Sequence, residues 1–357
     1  MREDTSCPLS PGASLKMDLY ENLTDLNVLY DSFIKCKKDV SWKYSTQKYE
    51  SNCLMQIYKL RESLLNGTYK QKPFSEFDIC ERGKPRHIKA LHISDRVLQR
   101  ALCDNILMPQ LEKYLIYDNA ASVKGKGIDF ARERMRCHLR RYYINEGTNE
   151  GYILQVDFRK FFDSIDTDIA IRMLEDKIPD KRVMDLIRYL MSTFGEGVGI
   201  GSQLSQVVGL YFPTPIDNYV KIVRGCKYYA RYMDDLYVIH RDKEYLKDIL
   251  SGINEQAKRL HLVINENKTR IVKINKRFTY LKIRFRLSDS GKVYMVPVAE
   301  RAKRERRKLR MFYRNGYPKD YIDKQFLTVI GTYDKYDAKR AKESLIEYKQ
   351  KMEVAYG

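Results

Sequence analysis

Asp234 and Asp235 stand side by side in the run Tyr229-Ala-Arg-Tyr-Met-Asp-Asp-Leu-Tyr-Val-Ile-His240. The flanks are aromatic and β-branched, the composition of strands, so the two acids fall at a strand–turn–strand. Neighbouring carboxylates repel, and a turn that presents both carries an electrostatic cost. A divalent cation removes that cost by binding carboxylate oxygens. A third acid, Asp157, ends a second apolar run, Gly151-Tyr-Ile-Leu-Gln-Val-Asp157. Three carboxylates from two strands can hold two Mg²⁺ ions about 3.5–4 Å apart and carry in-line phosphoryl transfer, with Mn²⁺ as a substitute. An adjacent acid pair by itself fits an exposed turn equally well; the second acidic strand favours the metal site.

The elements that must position these acids follow from periodicity and punctuation. Residues 1–15 are rich in Pro, Ser and Gly and are expected to be loose. Helical spacing runs over 16–66, with Leu19, Leu23, Leu26, Leu29, Tyr30 and Phe33 on one face and a second helix from Tyr49 to Leu64, closed by Gly67. Residues 75–90 read as a hairpin turning at Gly83-Lys84-Pro85. A helix capped by Ser94 or Asp95 extends to Leu111, a loop covers 118–127 and a basic helix 128–144. Beyond Asp157 the pattern predicts helices over 166–193, a Gly-rich stretch at 195–201 and one helix from Ser202 to Val223. The acidic hairpin, a helix over 243–260, a strand and turn over 262–274, a hairpin over 278–297 and a helical tail from Ala299 follow. This mixture predicts an α+β fold, an antiparallel sheet backed by helices.

Composition narrows the partners. The 357 residues, 43% hydrophobic, suffice for one large domain or two to three packed subdomains. A formal net charge of +19 predicts attraction to a polyanion, most simply a nucleic-acid backbone. Seven scattered cysteines without a Cys-x-x-Cys pair argue against zinc and disulfides and fit reduced thiols in a cytoplasm. No apolar run approaches the ~20 residues of a membrane helix. Lys84 and Arg86 in the first hairpin can hold a triphosphate, and Arg96 and Arg100, spaced by four on one helix, can meet template phosphates. Each reads equally well as a solvated surface charge. Arg301, Lys303, Arg304, Arg306, Arg307, Lys308, Arg310 and Arg314 cover nearly every face of one helix, which no fold needs and a helix tracking a phosphate backbone does.

Tyr232-Met233-Asp234-Asp235 resembles the signature box of reverse transcriptases, and Asp157 with Phe162 five residues on resembles their first catalytic box. The resemblance runs from about residue 75 to 290. It implies a right-hand polymerase: an N-terminal helical extension (1–72), fingers (73–150), a palm with antiparallel sheet and catalytic hairpin (151–296) and a basic helical thumb (297–357). It implies an RNA-directed DNA polymerase that takes template RNA, the RNA/DNA duplex and dNTPs, with Asp157, Asp234 and Asp235 catalytic and metal-binding, joined by the Phe158 carbonyl. Phe162 would exclude a ribose 2′-hydroxyl, while Phe161 points the other way. Lys268, in Asn265-Glu-Asn-Lys268-Thr269, would protonate the leaving pyrophosphate. Tyr280-Leu281-Lys282 stands where relatives show an aromatic-Leu-Gly primer grip, with Lys282 replacing the Gly. Arg304, Arg307, Lys308 and Arg310 would contact nucleic acid.

Ile200-Gly201-Ser-Gln-Leu-Ser205-Gln206 stands where most reverse transcriptases have Gln-Gly-x-x-x-Ser-Pro. This variant resembles the enzymes of diversity-generating retroelements, which copy RNA with errors at adenines for mutagenic retrohoming. Ile200 cannot donate the hydrogen bond a Gln side chain makes, which would relax nucleotide selection; the substitution also reads as a neutral packing change. The resemblance implies a small accessory protein and a structured RNA, in a bacterial or phage-encoded setting. No stretch reads as an RNase H domain or a zinc endonuclease, and no Val-Thr-Gly disfavours the retron type. The alternatives are another bacterial reverse transcriptase, used in phage defence or intron-like, a template-independent transferase, and a polymerase-shaped RNA-binding scaffold without activity.

Overall fold

The computed structural model describes residues 18–81, 83–195 and 197–356; the side chains of Glu81, Lys84 and Arg86 and the stretch 1–15 read above as loose lie outside the described residues. Four helices come first: α1 (Leu19–Thr24), α2 (Leu26–Lys37), α3 (Tyr44–Glu50) and α4 (Cys53–Leu65). Asp25 starts α2, its carboxylate accepting from the N–H groups of Asn27 and Val28, donors a helix start otherwise leaves unpaired. β1 (Ser75–Glu81) and β2 (Lys84–Ala90) pair as the antiparallel hairpin the sequence predicts. The cap of α5 (Ile93–Leu102) is His92, whose ring accepts from the Ser94 N–H, rather than Ser94 or Asp95. Asp95 is buried instead, taking hydrogen bonds from the Tyr69 hydroxyl (2.8 Å) and the Lys72 N–H (3.2 Å).

The helix continues through a π-turn at Cys103–Leu107 into α6 (Met108–Leu111), and α7 (Ile128–Glu146), β3 (Tyr152–Val156), α8 (Thr167–Glu175), α9 (Lys181–Ser192) and α10 (Gln203–Tyr211) follow. The single helix expected over 202–223 is broken. α10 stops at Tyr211 and α11 (Thr214–Asn218) starts after Pro213, because a proline has no N–H to extend the ladder. β4 (Tyr229–Tyr232), β5 (Asp235–His240), α12 (Lys243–Arg259) and β6 (Arg270–Lys273) come next. The hairpin expected over 278–297 is a three-stranded meander, β7 (Phe278–Tyr280), β8 (Ile283–Leu287) and β9 (Val293–Pro297). α13 (Ala299–Arg314), α14 (Lys319–Tyr333) and α15 (Lys339–Tyr356) complete the described chain.

The chain forms two compact units, each assembled from two separate segments. One comprises Met1–Tyr114 and Ile165–Tyr211, the other Leu115–Ser164 and Phe212–Gly357. The second holds a four-stranded antiparallel sheet of order β4-β5-β3-β6. Its central strand β3 is buried on both faces: Ile153 and Leu154, which point opposite ways, are each 0% exposed. α12 packs on β3 and β5, while Met135, Leu139 and Tyr142 of α7 share a core with Ile153, Tyr237 and Ile239 and with Phe278, Ile283 and Phe285 of the meander. Each such side chain contributes about 1.5–3 kcal/mol on burial. α13, α14 and α15 enclose a separate core of Leu309, Phe312, Ile322, Phe326 and Leu345. No helix among the described residues is long and apolar enough to cross a membrane.

Candidate active site

β4 and β5 are joined by two residues, Met233 and Asp234, with Tyr232 paired to Asp235. So short a connection needs a left-handed residue to match the twist of the strands. Met233 supplies it at φ +57°, a conformation that costs a side-chain-bearing residue about 1–3 kcal/mol. The register between strands then gathers the acids. β3 runs antiparallel to β5 with Val156 opposite Leu236, so Asp157 emerges from the sheet beside Asp235.

Burial of Asp235, together with repulsion from Asp234 and Asp157, pushes its carboxyl up to about 7. Asp157 is 6% exposed and held from several directions. The Lys268 ammonium lies 2.6 and 2.5 Å from its two carboxylate oxygens, and Asn265 donates through its side-chain amide (2.9 Å). The Asn265 N–H also donates to the Asp157 carbonyl (2.8 Å). A bridge between Phe158 and Ile264 brings this segment alongside the first acid. A recess of about 250 Å³ opens here, lined by Asp157, Asp235, Lys268, Gln155, Thr279 and Tyr280. Among the described residues no three His, Cys, Asp or Glu side chains converge on one point as metal ligands. The donor chemistry nevertheless fits a hard divalent cation: the oxygens are carboxylate, one acid is costly to ionise, and an ammonium already stands where positive charge is favoured.

The remaining predicted residues divide between the units. In the second unit, Phe158 and Phe161 are buried (2% and 4% exposed), whereas Phe162 is half-buried and is the ring turned outward. Tyr280, expected at a nucleic-acid surface, is 4% exposed and packs edge-on against Tyr237 at 5.1 Å; burial raises its hydroxyl well above the usual tyrosine range. Lys282 adopts φ +65° and Leu281 φ +44°, so the lysine takes the left-handed geometry a glycine would have taken. Arg132 of α7 supports this turn, donating to the Leu281 carbonyl at 3.1 and 2.6 Å.

α13 carries the cations expected there, and several also have partners within the chain. Arg306 donates to Ser344 (2.6 Å), Arg310 to Tyr348 (3.1 Å) and Arg314 to Tyr356 (3.3 Å), a ladder along α15. Lys308 reaches Gln325 (3.2 Å) and Arg304 reaches Glu305 (2.9 Å). Lys303, Arg304, Arg307, Lys308, Arg310 and Arg314 are all exposed.

In the first unit, Lys84 and Arg86 lie on β2, with side chains outside those described. Arg96 is half-buried; Arg100 pairs with Asp104 (2.9 Å), which also accepts from Lys35 and Gln203. The Ile200 carbonyl accepts from the Lys89 N–H (3.2 Å). Gly201 follows at φ +123°, and a Cβ there would come 3.0 Å from the Lys89 carbonyl oxygen, so this position excludes side chains. Ser205 is fully buried, its N–H donating to Ser202 Oγ (2.9 Å) and its hydroxyl to the Val198 carbonyl. Gln206, in the first turn of α10, is half-buried.

Sequence reading missed a buried ion pair beside the acidic turn. Arg231 on β4 (0% exposed) holds Asp217 on α11 (1% exposed) through Nε at 2.8 Å and Nη2 at 2.6 Å. The Tyr229 hydroxyl donates to the same carboxylate (2.5 Å), and Arg231 Nη1 donates to the Met233 carbonyl (3.0 Å). The available signal was an arginine inside an otherwise apolar strand, which must find a partner to be buried.

A family model of reverse transcriptase (RNA-dependent DNA polymerase) matches residues 70–285. The putative COX1/OXI3 intron 1 protein of Saccharomyces cerevisiae is 24% identical over 181 residues, 47% of this chain and 20% of that protein. Telomerase from Candida albicans, in complex with a TWJ fragment of telomeric RNA, is similar in structure with a TM-score of 0.50 at 13% identity, over 78% of this chain and 56% of that one. Apo telomerase from Candida tropicalis gives 0.51 at 12% identity, over 68% and 52%. The chain thus spans a fifth of the curated relative and about half of the telomerase chains. The structural likeness shows the fold, that of right-hand polymerases.

Proposed function

We propose, for a chain that belongs to the reverse transcriptase family of RNA-directed DNA polymerases, that Asp157, Asp234 and Asp235 are the catalytic carboxylates. The observation that carries this is the β3–β5 register, which sets Asp157 beside Asp235 at one end of the sheet. These side chains and the Phe158 carbonyl would hold divalent cations, which the family generally uses: Mg²⁺, or Mn²⁺ in its place. When bound, the metal ions activate the primer 3′-hydroxyl and neutralise the leaving pyrophosphate. Lys268 Nζ would donate a proton to the leaving pyrophosphate, and Phe162 would close the space a 2′-hydroxyl would need. Lys84 and Arg86 would bind the triphosphate, Ile200 and Gln206 would contact the nucleotide, and Arg96, Arg100, Arg304, Arg307, Lys308 and Arg310 would support template and duplex; Tyr280, buried in the core, is not among them. The division into extension, fingers, palm and thumb at residues 72, 150 and 296 belongs to the same proposal. Asp157→Asn and Asp234→Asn should each abolish Mg²⁺-dependent dNTP addition on an RNA template while leaving RNA binding nearly intact. More than a small residue of extension in either variant would sink the assignment.

The finer proposal is a diversity-generating retroelement enzyme acting in mutagenic retrohoming with an accessory protein and a structured RNA. The Ile200 and Gln206 substitutions support it. On that reading Ile200→Gln should lower misincorporation opposite template adenine by about fivefold, one hydrogen bond's worth. A wild-type adenine error rate that is already low would remove the premise. The likeness to the yeast intron protein favours a second reading, an intron-type enzyme, for which faithful cDNA and specific binding of an intron RNA would be found.

A further inference from the structure

We infer that Arg231 is a positioning residue: its guanidinium braces Met233 in the left-handed conformation that sets Asp234 and Asp235, and Asp217 anchors the brace. This rests on the proposed catalytic role of the two acids.

A buried ion pair is weak evidence for stability, since apolar residues of similar volume often serve as well. An apolar pair would not, however, donate to the Met233 carbonyl, which Arg231 Nη1 does at 3.0 Å. That carbonyl begins the peptide linking Met233 to Asp234, so its direction decides where the acids point. A non-glycine residue at φ +57° persists only where its surroundings over-determine it. Arg231 meets that requirement on every side. Its fork is fixed on Asp217, and the Tyr229 hydroxyl fixes Asp217 in turn. Its own N–H donates to the Asp118 carbonyl (3.2 Å), and its carbonyl accepts from the Ala120 N–H (3.3 Å). The same unit repeats the device at the β7–β8 turn, where Arg132 donates to the carbonyl of left-handed Leu281. In both places an arginine takes the part a glycine would play by intrinsic freedom.

Arg231→Lys tests this in the full chain. It keeps a cation opposite Asp217, but an ammonium cannot reproduce the planar fork that reaches both Asp217 and the Met233 carbonyl. Primer extension on RNA should show kcat lowered about 10- to 100-fold with KM for primer–template unchanged. Two readouts need no turnover. Mn²⁺ affinity without nucleotide, followed by electron paramagnetic resonance, should weaken. The ¹³C-methyl resonance of Met233 should be one line in the wild type and should broaden or split in the variant. A merely structural role would lower the unfolding temperature and leave both readouts unmoved. A folded Arg231→Lys protein with wild-type kcat, Mn²⁺ affinity and Met233 line overturns the inference. If that variant does not fold, Tyr229→Phe, which removes only the hydroxyl on Asp217, should shift the same readouts in the same direction by less, and wild-type values there overturn it equally. Asp234→Asn run alongside separates the two claims. Extension by Asp234→Asn refutes the catalytic acids, whereas its loss beside an unaffected Arg231→Lys refutes the brace alone.

Discussion

At the scale of residues, the site is defined by charges that the sheet forces together and by groups that offset them. Asp235 bears burial and two neighbouring acids, and Lys268 and Asn265 hold Asp157. Among the aromatic neighbours, burial separates Phe161 from Phe162, a distinction spacing alone only anticipates. Phe162→Ala should therefore raise ribonucleotide incorporation relative to deoxyribonucleotide; an unchanged ratio with the purified enzyme would move sugar selection to another residue. A second buried cluster gives a pH prediction. His138 on α7 lies 3.0 Å from the Tyr237 hydroxyl and 3.3 Å from Asp118, which Arg134 also holds (2.5 Å). Burial lowers the His138 imidazole below its ordinary range. Burial would raise Asp118, but hydrogen bonds from His138 and Arg134 outweigh it and hold the carboxyl at about 2. Both folded-state values are depressed, so both groups stabilise the protein above their unfolded values and lose that contribution as pH falls. Below about pH 6.5 the unfolded chain takes up the histidine proton first, with a slope of up to about 1.4 kcal/mol per pH unit. Asp235, raised to about 7, takes up a proton in the folded chain over the same window and opposes this slope, so the histidine is read as a difference. On going from pH 7 to pH 5 the wild type should lose stability relative to His138→Gln, and an equal slope in both proteins would place the acid sensitivity elsewhere.

Elements decide what single residues cannot. The β7–β8 turn is tight, and Leu281 and Lys282 both take positive φ, as a two-residue turn of this hand demands. Lys282 is exposed, so Lys282→Gly removes little packing and relieves the strain. It should stabilise the protein by about 0.5–1 kcal/mol, read by thermal unfolding, with some of the gain offset by the freer unfolded chain. A loss of stability would mean that the lysine stem packs in solution. The helix α13 divides its cations between tasks. Arg306, Arg310 and Arg314 face α15, whereas Lys303 and Arg307 are left to solvent. Replacing Lys303 and Arg307 by Gln should flatten the salt dependence of nucleic-acid binding by about 0.7–0.9 per lost phosphate contact and spare the unfolding temperature. Replacing Arg306 and Arg314 should lower the unfolding temperature and leave the salt slope. The reverse pattern would exchange the two roles.

For the whole molecule, the net charge of +19 and the acidic boxes read from the sequence agree with a family match covering residues 70–285. Local chemistry made the acids legible: adjacent carboxylates between strand-forming residues have few uses, and the turn, the flanking strands and the 243–259 helix are all written in short-range pattern. The hairpin at 75–90 was legible for the same reason, through Gly83 and Pro85. The break between α10 and α11 was also local, signalled by Pro213 and Pro215 within an apolar run long enough to read as continuous helix. What the sequence alone determined was thus the position of the acids in the chain, the strands that carry them and the excess of positive charge. Tertiary structure decided the rest, because it depends on pairings between residues far apart in the chain. The β3–β5 register puts Asp157 beside Asp235, Asp217 reaches Arg231 from another element, and Lys268 arrives at Asp157 from beyond α12. No periodicity encodes such meetings. They follow from which apolar faces must be covered, and a buried charge is tolerated only where that packing delivers its partner.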